Sequence, residues 1–100
     1  MEAYPQGHNE QRTQLESIVQ GIDQALLSDD VSVRLQQSNP WLQVLFEGRL
    51  IPDRTVCIPL ARREVQKCCL AGVQAIVIYG RRRGQYEPDW TYKYPLREFT

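Results

Sequence analysis

Thirteen positions, IYGRRRGQYEPDW at 78–90, gather the residue types in this chain best suited to binding chemistry. Arg81, Arg82 and Arg83 offer planar guanidinium groups that suit a carboxylate or a phosphate, and Tyr86 and Trp90 offer faces for stacking. A second basic group lies upstream at Arg62, Arg63 and Lys67. If the two groups share one surface, they make a partner-binding patch for an acidic protein or for nucleic acid. Arg, Tyr and Trp are also the types enriched at protein-interface hot spots, which favours protein as the partner.

Signs of catalysis or of a metal centre are weak by comparison. The chain has no phosphate-loop, nucleophile-elbow, zincin or dinucleotide fingerprint. Gly80 and Gly84 bracket the arginines, but Pro88 and Pro95 argue against the helix that would have to follow a phosphate cradle. The only histidine, His8, lies in a lead-in with no periodicity, where nothing would hold it within reach of a nucleophile. Cys57, Cys68 and Cys69 lack CxxC spacing, and neighbouring side chains on a helix diverge by about 100°. They suit packing in a reducing cytoplasm better than zinc or a disulfide framework. The expectation is a non-enzyme with no metal, no cofactor and no small-molecule substrate.

Charge sharpens the partner question. The chain of 100 residues is formally neutral, but residues 1–53 set three arginines against eight acids. Residues 54–84 set seven cations against Glu64 alone. The acidic half makes self-association a second option for the basic patch, while overall neutrality weighs against a general DNA binder. No apolar run approaches the roughly 20 residues of a membrane span, and the start is not a signal peptide, so a cytoplasmic location is expected.

The elements that must carry these residues follow from periodicity. Residues 1–9 are expected as a disordered tail and 10–100 as one α+β domain. From Glu10 to Leu27, Leu15, Ile18, Val19, Ile22, Ala25 and Leu26 recur at spacings of three and four, which predicts an amphipathic helix. VSVRLQQ and WLQVLFEG alternate with period two across Ser38, Asn39 and Pro40, a predicted hairpin. In its second strand Trp41 and Leu45 fall on the face opposite Leu42, Val44 and Phe46. A second helix is predicted from an Asp53 N-cap to a closing Gly72, with Pro59 as a complication in its first turns. VQAIVIYG at 73–80 is the predicted central strand, and Thr91–Tyr94 a short edge strand between Pro88 and Pro95. The order α-β-β-α-β(-β) gives a two-layer sandwich, two helices on one face of a three- or four-stranded sheet.

Within this frame Tyr79, Gly80, Arg81, Gly84, Pro88, Trp90 and Leu96 form a pattern, a strand ending Tyr-Gly-Arg, then Gly, Pro-x-Trp and a closing apolar residue. With IPD at 51–53 and the hairpin, residues 31–96 resemble a small cyanobacterial domain family of unassigned activity. The resemblance implies the α+β fold and a bacterial cytoplasm, and it implies no catalytic residues. Arg82 and Arg83 go beyond the family pattern. Function is therefore expected as a non-catalytic interaction module or adaptor whose basic and aromatic loop meets an acidic partner, with a nucleic-acid-binding regulator as the second reading.

Overall fold

A computed structural model describes residues 6–26, 30–68 and 70–96, with side chains from Arg12 onward. Its elements run α1 (Gln6–Ala25), β1 (Val31–Ser38), β2 (Trp41–Gly48), α2 (Arg54–Lys67), β3 (Ala75–Arg82) and β4 (Trp90–Pro95). The sheet order is β1-β2-β3-β4, with the two outer pairs antiparallel and β2 parallel to β3. This is the expected α+β fold with the edge strand formed.

Alternation along the strands decides which face is covered. Val33, Leu42, Val44, Phe46, Ile76, Ile78 and Trp90 share one face and join a core with Ile18 and Ile22 of α1, Leu26 just past its end, and Cys57, Leu60, Ala61 and Val65 of α2. Leu15, Val19, Ile58 and Cys68 are half-buried against it, whereas Ala25, expected inside, is exposed. The side chain of Cys69 lies outside the described residues. No described helix is long and apolar enough to cross a membrane.

Several boundaries differ from expectation: β3 begins at Ala75 and not at Val73, and β4 runs Trp90–Pro95. Helix α1 begins at Gln6, so positions 6–9 of the expected tail are helical, and the remainder of that tail lies outside the described residues. Helix α2 starts where Asp53 caps it, its Oδ1 accepting from the Thr55 N–H at 3.0 Å and the Thr55 hydroxyl at 2.7 Å. Pro59 is tolerated inside α2 on its exposed side. That helix ends at Lys67, not at Gly72. Gly72 instead takes φ +82° in the following turn, where a Cβ would run into the Asn39 side chain. The hairpin turn is tied to this turn, because the Pro40 carbonyl accepts from the Gln74 and Ala75 N–H groups. Strand β3 runs two residues beyond its expected end, since Glu47 and Gly48 of β2 continue to pair with Arg81 and Arg82.

Candidate interaction surface

Arg81 and Arg82 at the end of β3 and Arg83 in the turn after it take three directions. Arg81 lies on the sheet face away from the helices and donates from Nε to Glu47 Oε2 at 2.8 Å, with Nη2 in ion-pair contact 2.7 Å from the same oxygen, while its Nη1 donates to the Tyr86 carbonyl. Arg82 turns onto Asp89, with a backbone N–H to Oδ2 at 3.0 Å and Nη2 to Oδ1 at 3.1 Å. Arg83 reaches Asp30 at 3.6 Å, sharing that carboxylate with Arg49. Gly84, at φ +89°, makes the tight turn that separates these from Tyr86.

Two expectations about the patch are thereby corrected. The guanidinium cluster is not a free charged surface, because Glu47 and Asp89 accept from Arg81 and Arg82, while Arg83 donates to the Asp30 carbonyl at 3.5 Å and lies 3.6 Å from its carboxylate. Nor are Arg62, Arg63 and Lys67 contiguous with it. Arg62 lies 3.9 Å over the Tyr94 ring, and Arg63 and Lys67 both pair with the buried Glu64. Tyr94 pairs with Ile76, four residues along β3 from Gly80, or about 13 Å of strand. Trp90 is also displaced from the expected site. Its indole is 9% exposed and donates from Nε1 to the Pro52 carbonyl at 2.8 Å. Tyr86 alone of the two aromatic candidates stands in solvent, 91% exposed.

What the structure brings together is a different surface, the sheet face that α1 and α2 leave open. Register places Trp41 beside Ala75, Gln43 beside Val77, Leu45 beside Tyr79 and Glu47 beside Arg81. Ser38, Gln36 and Arg34 of β1 flank these rows on one side, and Lys93 and Thr91 of β4 on the other. The centre is apolar or aromatic and the margin polar, the anatomy of a protein interface. Trp41 remains 38% exposed there. At one end the face dips into a concavity of about 590 Å³ lined by Arg34, Leu35, Gln36, Gln43, Leu45, Tyr79, Arg81, Tyr86 and Pro88. Sequence carried a signal for this: IVIY in β3 is apolar on both faces, yet two helices cover only one.

Glu47 is the electrostatic hinge of the face. Its Oε1 accepts from Arg34 Nη2 at 2.9 Å while Oε2 takes Arg81. The hydrogen bond from Arg81 is the main influence holding its carboxyl below the usual glutamate range, against partial desolvation that pushes the other way. Asp89 is lowered for the same kind of reason, chiefly the side-chain hydrogen bond from Arg82. A carboxylate depressed by folding contributes stability that is present above its unfolded pKa and is lost as pH falls through its lower folded value. Stability is therefore expected to fall on acidification from about pH 5 towards pH 2. Carboxyl-carbon NMR titration is expected to find both groups titrating low. An Arg81→Met substitution should return Glu47 further towards its ordinary value than Arg34→Met does.

Among the described residues, no group of three or more His, Cys, Asp or Glu side chains is placed to hold a metal ion. The chain matches no family model, no curated protein and no solved structure.

Proposed function

We propose that this chain is a non-catalytic protein-interaction module, working in a cytoplasm, whose open sheet face docks an acidic partner. The observation that carries this reading is the apolar strip of Trp41, Leu45 and Tyr79 around the buried Val77, on the side away from both helices, with Arg34, Arg81 and Lys93 around it against Glu47 alone among the described residues. Val77 is only 6% exposed although it lies on the side away from both helices, so its neighbours on the sheet already cover it, and Trp41, Leu45 and Tyr79 are the members of the strip open to a partner. A surplus of two positive charges at the margin favours a partner bearing carboxylates and disfavours pairing this face with itself. Tyr86 extends the surface beyond the sheet. Of the eight residues first singled out, Arg81 and Tyr86 fall within it.

The aromatic content favours a second reading, in which bases of a single strand stack on Trp41, Tyr79 and Tyr86 while Arg34 and Lys93 meet the phosphates. One titration separates the two. Isotope-labelled protein is mixed with an amphipathic peptide of alternating Glu and Leu, and separately with a dT oligonucleotide. The protein reading expects saturable shifts at Trp41, Leu45, Val77 and Arg81 with the peptide, and affinity lower by about tenfold in Trp41→Ala. Tighter binding of the oligonucleotide on the same residues, with a salt slope that drops by about one in Arg34→Ala, would give the surface to nucleic acid. No shift with either ligand removes both.

A further inference from the structure

Going beyond that reading, we infer that β1 is a self-association edge through which two copies of the chain join their sheets antiparallel. The two ends of the sheet are built differently. Strand β4 is only six residues long and is closed by Pro95, devices that keep an edge from pairing. Strand β1 is a regular eight-residue strand with no proline and no bulge in its register with β2, and among the described residues it has one neighbour. Beside it runs a groove of about 340 Å³ lined by Leu15, Glu16, Val19, Gln20 and Leu35. Leu15, Val19 and Leu35 are only half-buried there. A neighbouring strand would therefore find both free main-chain groups and apolar side chains to cover.

Symmetry narrows the occupant to a second copy in one register. With both helix layers on the same side of the joined sheet, residues of like parity must face each other across the two-fold axis. Two such registers of VSVRLQQS are of equal length. One centres on Arg34 and sets two guanidinium groups directly opposite, which is repulsive. The other centres on Leu35, so that Leu35 meets its own copy, Arg34 meets Gln36, and Ser32 meets Ser38. Charge selects the second. It also brings Leu15 and Val19 of both copies over the paired leucines. The layers fit, because two strands span about 10 Å, the width of one helix, so eight strands lie under four helices without a gap. The strip is about 26 Å long and shallower than a standard interface of about 800 Å² per partner, so the dimer is expected to be concentration-dependent, with Kd between about 10 µM and 1 mM.

Sedimentation of the isolated chain over that range tests this, and no added partner is present, so the outcome does not depend on the sheet-face reading. Gln36 is exposed, which makes it a substitution site that spares the core. Gln36→Glu sets a carboxylate opposite Arg34 twice over and should tighten the dimer by about tenfold, and Gln36→Arg should loosen it by a similar factor. Amide exchange along β1 should slow as concentration rises. A chain that stays monomeric at about 1 mM overturns the inference. So does a dimer that ignores position 36 but dissolves on Trp41→Ala, since self-association would then use the open face.

Discussion

Gly80→Ala is expected to cost the fold about 3 kcal/mol, far more than one added methyl usually does. Gly80 is buried in β3 directly opposite Trp90 of β4. A Cβ there would run into the indole at Cε2, Cζ2 and Nε1. The ring has nowhere to retreat. Its Nε1 is held by the Pro52 carbonyl at the entry to α2, and Arg54 lies 5.9 Å from its ring on that same side. The backbone cannot yield either, because the Gly80 carbonyl accepts from the Asp89 N–H at 2.7 Å. Relief requires breaking a buried hydrogen bond, worth about 1–3 kcal/mol when a partner is left unsatisfied, in addition to the overpacking strain. Urea denaturation checks the size, and a double-mutant cycle checks the cause. In a Trp90→Leu background the same Gly80→Ala change should cost much less than in the wild type. A loss under about 0.5 kcal/mol in the wild-type background would mean that the indole does not seat on Gly80.

That contact explains part of what could be read in the sequence and part of what could not. Periodicity was sufficient for α1, β1 and β2, because each buries one face and leaves the other wet. The same reasoning reaches Trp90: Tyr92 and Tyr94 share a side of the edge strand, and extending that parity back two residues puts Trp90 inside. Its expected place in a loop follows from starting the edge strand at Thr91, whereas pairing with Gly80 of β3 brings Trp90 into β4. The fate of the arginines was less accessible. Arg81 meets Glu47 across 34 residues and Arg83 meets Asp30 across 53, contacts that no local pattern encodes. Arg82 and Asp89 are only seven apart, and a hairpin between them would have suggested their pairing. The open face was half visible, since Trp41 and Leu45 fall on the wrong side of β2 for the core. What the sequence alone could not supply was Val77 and Tyr79 beside them, which needs the parallel register of β2 with β3.

Glu47→Gln is expected to move stability and binding in opposite directions. Above about pH 5 the variant should lose about 2 kcal/mol, because it replaces charge-assisted hydrogen bonds with neutral ones. Most of that loss belongs to Arg81, whose side chain is one-quarter exposed; Arg34, 65% exposed, is screened and contributes little. The deficit should shrink as pH falls through the lowered folded pKa of Glu47, since the wild type then loses its carboxylate as well, and the two proteins should converge below it. Binding responds to the same change with the other sign. Removing the one carboxylate on the open face raises its surplus from two positive charges to three and releases both guanidinium groups towards solvent. An additional unit charge at about 4 Å is worth about 1 kcal/mol even in water, so an acidic peptide should bind about fivefold tighter. Isothermal titration with the Glu-Leu peptide, beside urea denaturation of the same samples, reads both effects. If affinity falls with stability, Glu47 is itself a contact, and the partner presents a cation to this face.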